Sequence, residues 1–361
     1  MRIAQVAPLL ESVPPHRYGG TERIVSYLTE ALVRENHDVT LFASHDSQTS
    51  ARLIPCAPRS LGVVWDNPRA HVCHKSMFDR VQSMQERFDV IHFHTDAWHF
   101  PHVHGIAGKT LSTIHNRPDV RETTSLVCAF PDMRMGSISR AQQRLAPWAN
   151  WYATVHHGIP VQDYPFRQTS GNYLAFVGRI SPGKGVLEAV EIARMSGKPL
   201  MIAARIDRQH PDYYRSFRNL LRFSPHVRFL GELNEVEKRA LLVDALALLF
   251  PISWPEPFGL VMPEAMATGT PVIAYRDASV PEVIDQGVTG AIVENIAEAA
   301  AAVERVAGFD RRSIREMAER RFSAERMAHD YLLLYERIAK EATQGDLEAV
   351  GSDRTLFRDA S

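Results

Sequence analysis

Apolar and polar residues follow two rhythms along this chain, and the rhythms take turns. In "TERIVSYLTEALVRENH" (21–37), Ile24, Val25, Leu28 and Leu32 recur at short helical steps and keep one helix face apolar. Thr21 can cap that helix, and Glu22 suits its positive end. Around it lie short apolar runs that read as strands: "RIAQVAP" at the start, "DVTLFAS" (38–44), "DVIHFHT" (89–95) and "KTLSTIH" (109–115). A helical stretch, "SMFDRVQSMQERF", precedes the third of them. The second half repeats the pattern with "YLAFVG", helix "GVLEAVEIARMSG", strands "PLMIAAR" and "VRFLG", helix "NEVEKRALLVDA", strand "LALLFP", helix "FGLVMPEAMATG" and strand "PVIAY". Strands alternating with helices predict an α/β protein with doubly wound parallel sheets, helices on both faces. "GIPVQDYPFRQTSGN" (158–172) keeps no period and reads as the linker between two such domains.

The last periodic stretch is "SAERMAHDYLLLYERIAKEA" (323–342), where Met327, Tyr331, Leu334, Tyr335 and Ile338 form one apolar helix face that needs a partner. From Thr343 the chain turns polar, and residues 343–361 are expected to be a disordered tail. At 361 residues the chain is long for one core, which supports two domains.

Charge narrows the partners. A net charge of −1 gives no general attraction to nucleic acid, so none is expected as a partner. Cys56, Cys73 and Cys128 form no CxxC pair, so neither a disulfide framework nor a zinc knuckle is predicted. "MRIAQVAPLL" reads as a first strand rather than a secretion signal, and the apolar run "ALLVDALALLF" (240–250) is too short to span a bilayer. A cytoplasmic protein is expected, with peripheral membrane contact left open.

Doubly wound sheets hold ligands at the carboxyl ends of their strands, so the loops there carry the chemistry. "GRISPGKG" (178–185) is nearly a phosphate-binding P-loop, but Gly185 stands where the magnesium-holding hydroxyl belongs. In "EPFGLVMPEAMATGTPVIA", Glu256 precedes a short helix that carries Glu264, and Phe258, Gly259, Leu260 and Val261 lead into it. Two carboxylates beside a helix start suit a ligand rich in hydroxyls and phosphates. Equally, they could be capping and surface charges. Gly19 and Gly20 allow backbone to approach a ligand closely at another helix start. "HFHTDAWHFPHVH" holds five histidines, of which His92 and His94 share a strand face. Such a stretch can bind metal, or it can line a cleft.

Taken together, "FVGRISPGKG", "PEPFGLVMPEAMATGTPVIA", the Gly-Gly before the first helix, "FDVIHFHTD", "LSTIHN", "SISRAQQ" and "HHGIPVQDYPF" resemble glycosyltransferase family four, retaining enzymes of the GT-B fold. The likeness runs to about residue 340. It implies two Rossmann-like domains facing a central cleft: residues 1–163 on the acceptor side and 164–322 for the nucleotide-sugar donor, with helix 323–342 crossing back onto the first. It implies that Arg179 and Lys184 bind the donor diphosphate, two cations doing the work of a metal. Stabilising a leaving diphosphate is worth roughly 10²–10³ in rate per well-placed donor group.

The resemblance further implies that Glu256 holds sugar hydroxyls and Glu264 the ribose, that backbone near Leu233 contacts the base, and that Gly19 and Gly20 sit over the phosphates. His115 matches the active-site histidine beside the transferred sugar, although Asn116 follows it where the family often has Asp. His94 and Asp96 would lie near the acceptor. The implied reaction moves a hexose from a UDP- or GDP-sugar to an acceptor hydroxyl by front-face attack, with no metal and no other cofactor. The acceptor, whether sugar, lipid or small molecule, is not legible. Other readings are a phosphorylase or nucleotide-sugar epimerase of the same fold, or a non-catalytic nucleotide-sugar sensor. The absence of a Gly-x-Gly-x-x-Gly after the first strand, and of a Gly-x-Ser-x-Gly elbow, disfavours dinucleotide oxidoreductases and hydrolases.

Overall fold

A computed structural model describes residues 1–16, 19–62 and 68–356. The first half folds as β1 Arg2–Val6, α1 Gly20–Arg34, β2 Asp38–Ser44, β3 Arg52–Ala57, α2 Pro68–Ser83, β4 Val90–Phe93, α3 Phe100–Val103, β5 Thr110–Thr113, α4 Arg121–Ala129, β6 Met135–Ser137, α5 Arg140–Arg144 and β7 Trp151–Thr154. The second half gives β8 Leu174–Ile180, α6 Val186–Ser196, β9 Leu200–Ile206, α7 Pro211–Arg222, β10 Val227–Gly231, α8 Glu235–Val243, β11 Ala247–Phe250, α9 Val261–Ala267, β12 Val272–Tyr275, α10 Val280–Val283, β13 Gly290–Val293, α11 Ile296–Val306, α12 Arg311–Phe322 and α13 Ala324–Leu356.

Each half makes one parallel sheet, with strand orders β3-β2-β1-β4-β5-β6-β7 and β10-β9-β8-β11-β12-β13. Both orders reverse once, between β1 and β4 and between β8 and β11. At a reversal the loops after two neighbouring strands splay apart and leave a crevice. The two domains therefore each offer a ligand site at the place the alternation pointed to.

Several elements are not legible in the sequence, each for a local reason. β6 is only three residues, "MGS", too short to show a period, and α3 and α10 are single turns. α7 buries one residue, Phe217, so it has almost no core-facing signal. Of the other elements that escape, β7 and β13 are only four residues long and β3 holds a proline, α4 and α5 are short, α11 is mostly alanine, and α12 has few apolar residues. The helix before β4 starts earlier than its periodicity suggested, at Pro68, and gives way after Ser83 to a tight turn at Gln85–Arg87.

α13 corrects the expected tail. The helix does not stop at residue 342 but continues to Leu356, since "TQGDLEAV" contains no proline to end it. Residues 357–361 lie outside the described residues. Its apolar face packs Met327, Tyr331, Tyr335 and Ile338 against Ile3, Leu28, Val90 and Leu111 of the first domain. Leu334 is only partly buried there, and Leu332 takes a place in the buried face. The two chain crossings between domains run side by side. Ile159 N–H donates to Phe322 O and Ala324 N–H donates to Ile159 O, both at 2.8 Å. Among the described residues, no helix is long and apolar enough to cross a membrane.

Candidate active site

On the first domain the site grows from adjacent strands. β4 and β5 pair in parallel, so His94, one residue past β4, and His115, two past β5, meet at the same end. His94 Nδ1 lies 2.9 Å from His115 Nε2. Asp96, in the left-handed region at φ 46°, turns its carboxylate back under the second loop. It accepts from the backbone N–H of His115 at 2.8 Å and from Asn116 Nδ2 at 2.7 Å. Asn116, an oddity in the sequence, is thus the clamp on Asp96. Burial pushes the Asp96 carboxyl up, against the pull of those hydrogen bonds.

The histidines behind this pair are fully engaged in hydrogen bonds. His92 joins Tyr335 and Thr113 through its two nitrogens, and His99 joins Thr95 and Ser112. Among the described residues, no three His, Cys, Asp or Glu side chains are grouped as a metal ion would need. Burial pushes His115 down to about 3, and His92, His94, His99 and His157 well below their usual range. These rings are neutral in the folded protein.

On the second domain the carboxyl end of β8 carries Arg179, whose guanidinium lies 3.8 Å from the Asp207 carboxylate. Gly185 then caps α6 in the left-handed region at φ 79°. A Cβ there would sit 2.0 Å from the Pro251 carbonyl oxygen. The position that carries the hydroxyl in a P-loop can hold no side chain here. Lys184, one residue earlier, pairs with Glu256. Glu264 is only 3% exposed and accepts from Lys238 Nζ at 2.7 Å and from Tyr164 OH at 3.3 Å. Neither glutamate is a free surface charge, and each has its own lysine. Burial works to lower Lys238, but the nearby Glu264 and Glu235 outweigh it and hold its ammonium above the usual range. Leu233 packs against the second domain's core just before Asn234, which caps α8 with Glu237 in a reciprocal box.

Several contacts bring the two sides together. Gly20 opens α1, and a Cβ on it would lie 3.8 Å from Leu260. Gly19, at φ 146°, leaves no room for a Cβ beside Pro15. Arg23 on α1 pairs with Glu235 on α8 at 3.1 Å. His157 stacks on His115, ring centroids 5.1 Å apart, and meets Phe258 edge-on at 5.1 Å. Glu282 on α10 accepts from the N–H groups of Arg140 and Ala141 at the start of α5, at 2.8 and 2.7 Å. A pocket of about 240 Å³ opens between the domains, lined by Gln142, Arg144, Glu256, Pro257 and Asp277 among others.

Of the residues singled out in the sequence, the structure brings His94, Asp96 and His115 together on one domain, joins His115 through His157 to Phe258 on the other, and pairs Lys184 with Glu256 there. Lys238, Glu235, Asp207, Glu282 and Gln5 also take part, and none of them lies in a pattern that marks it in the sequence. Lys238 gave no signal within a helical run, whereas Arg23 and His157 stood inside quoted motifs without being singled out.

Two family descriptions divide the chain between them: "Glycosyltransferase Family 4" matches residues 18–161, and "Glycosyl transferases group 1" matches residues 164–320. The chain belongs to the family-four glycosyltransferases and has the GT-B fold. The chain is 31% identical over 198 residues to a glycogen synthase of Mycobacterium tuberculosis (strain CDC 1551 / Oshkosh), a match that covers 52% of the chain and 46% of that relative. The chain therefore spans about half the length of such curated relatives. Sucrose-phosphate synthase from Thermosynechococcus elongatus superposes with a TM-score of 0.77 at 18% identity, over 94% of this chain and 99% of that one. HepE from Anabaena, solved in complex with UDP-glucose, superposes with a TM-score of 0.67 at 16% identity, over 95% and 100% of the two chains.

Proposed function

We propose that this glycosyltransferase moves a hexose from a UDP- or GDP-linked sugar to an acceptor hydroxyl with retention of configuration, and without a metal ion. The observation that carries the reading is the lysine–carboxylate pairing on the second domain. Lys184 pairs with Glu256, which lines the pocket between the domains, and Lys238 pairs with the buried Glu264. A doubly charged diphosphate can take over the Lys184 ammonium, which releases Glu256 to accept sugar hydroxyls. Arg179 supplies the second cation for the diphosphate, and Glu264 accepts from the ribose. Backbone near Leu233 contacts the base, while Gly19, Gly20 and the Phe258–Val261 segment approach the phosphates. His115 stands beside the transferred sugar. His94 and Asp96 shape the acceptor side, and the pocket beside Glu256 has room for part of an acceptor. The relative solved with UDP-glucose supports a nucleotide-sugar donor.

A panel of UDP- and GDP-sugars tests this through nucleoside diphosphate release, with the product's anomeric configuration read by NMR. Turnover with retention is expected, undiminished by excess EDTA. Glu256→Gln should lower kcat by roughly 10²–10³. No turnover or binding with any nucleotide sugar would overturn the reading, and rescue of EDTA-treated enzyme by Mg²⁺ or Mn²⁺ would overturn its metal independence.

A further inference from the structure

The buried groups behind His115 form a continuous chain that ends on α13. Gln5 Nε2 donates to Tyr335 OH at 3.0 Å. The Gln5 carbonyl oxygen lies 2.7 Å from His94 Nε2, and His94 Nδ1 lies 2.9 Å from His115 Nε2. The parallel pairing of β1 with β4 sets Gln5 opposite His92, so the amide is held between the two strands and the helix. Gln5, His94 and Tyr335 are all buried.

A carbonyl oxygen can only accept, so the proton on this contact belongs to His94 Nε2. A neutral imidazole carries one N–H, which leaves His94 Nδ1 as an acceptor. The contact between the rings then requires His115 Nε2 to donate. His115 Nδ1 is left with a lone pair and no proton. Among the described residues that atom is buried and has no hydrogen-bond partner. An unpaired buried acceptor costs on the order of 1–3 kcal/mol, and a ligand hydroxyl would relieve it. At the other end Tyr335 OH accepts from Gln5 and lies 2.6 Å from His92 Nδ1, to which its own proton can be given. The direction of the whole chain is therefore consistent from helix to cleft.

Resting on the transferase reading, we propose that the Tyr335–Gln5–His94 relay fixes the tautomer of His115, so that its bare Nδ1 accepts a hydrogen bond from a hydroxyl of the transferred sugar. Gln5, His94 and Tyr335 are positioning residues, and His115 is the group that touches the sugar. This arrangement places the choice of proton site on α13, which reaches this domain from beyond the second domain. It also selects for a hydroxyl, a donor, at the sugar position facing His115, and against a group that can only accept.

Nitrogen NMR of the full-length, ligand-free protein labelled in its histidine rings decides the first half, with His115 assigned by the loss of its signals in His115→Gln. A single tautomer protonated at Nε2 is expected. A proton on Nδ1, or an averaged pair of tautomers, overturns the proposal whatever the variants do. Gln5→Leu and Tyr335→Phe should each blur that tautomer and lower kcat with the preferred nucleotide sugar roughly tenfold, the scale of one net hydrogen bond, with donor KM held within about twofold. Gln5→Glu, which keeps an acceptor facing His94 but brings no N–H to Tyr335, should leave the tautomer blurred and kcat lowered. Loss of stability with an unchanged tautomer and unchanged kcat would reduce these residues to packing and overturn the relay. A wild-type protein that turns over no nucleotide sugar sinks the transferase reading instead, and leaves the ligand-free spectrum to judge the relay.

Discussion

At the scale of single residues, Gly185 shows why a motif that looks damaged is intact. Its positive φ and the Pro251 carbonyl beside it exclude any side chain, so the loop is built for glycine and not for a metal-holding hydroxyl. Gly185→Ser, which completes the P-loop pattern on paper, should therefore confer no response to Mg²⁺. It should destabilise the fold by more than about 2 kcal/mol, from left-handed strain plus the collision. A thermal melt and a Mg²⁺ titration of activity check both parts, and a Mg²⁺-dependent gain in rate would contradict them. His115, Glu256 and Lys184 are legible because each stands in a motif that carries the family resemblance. Lys238 and Glu235 are not legible, because a charged residue in a helical run looks the same facing water or a buried carboxylate. Only the fold tells them apart.

At the scale of elements, the first turn of α5 is finished by the other domain. Ser139 accepts from Gln142 N–H in the ordinary capping manner, while Glu282 takes the N–H groups of Arg140 and Ala141 across the cleft and contacts His156 at 3.2 Å. Hydrogen bonds to a charged acceptor are stronger than neutral ones, about 1.5–3 kcal/mol each, and these form only while the domains stay close. Glu282→Ala should let the cleft open, raising the radius of gyration in solution scattering and lowering kcat/KM roughly tenfold. The melting temperature should also fall, by roughly 2–4 °C per kcal/mol lost. A variant with unchanged scattering and unchanged kcat/KM would show that this contact does not hold the domains together. The elements themselves read best where periodicity is strong, as in α1, β2 and β10, whose sequence limits nearly match the structure. α5 escapes notice because five residues cannot display a helical period, and half of what stabilises it lies in the other domain.

At the scale of the molecule, the buried histidines set a lower pH limit on the fold. His92, His94, His99, His115 and His157 are neutral when folded, chiefly because burial penalises their charge. Once unfolded, each takes up a proton near the usual 6.5, whereas folded His115 resists until about 3. Between those values the unfolded chain binds more protons, so the stability these groups contribute is present above about pH 6.5 and is lost as the pH falls. Each group adds up to about 1.4 kcal/mol per pH unit to that slope, and five act together. Chemical denaturation followed downward from neutrality should show stability falling by several kcal/mol per pH unit below about 6.5. A flat profile through that range would contradict the burial of these rings as neutral groups.

The side-by-side crossings at Ile159 and Ser323 carry a consequence for how the chain is made. The second domain is an insertion, entered and left at one point, and α13 supplies the final piece of a domain whose other parts were synthesised long before. While a ribosome extends the intervening stretch, at roughly 5–20 residues per second, the surface of Ile3, Leu28, Val90 and Leu111 stays bare for on the order of ten seconds. Gln5 and His92 meanwhile lack their tyrosine. The nascent protein must therefore carry an unfinished half through the birth of its other half, and the Gln5–Tyr335 contact forms only once α13 has left the ribosome.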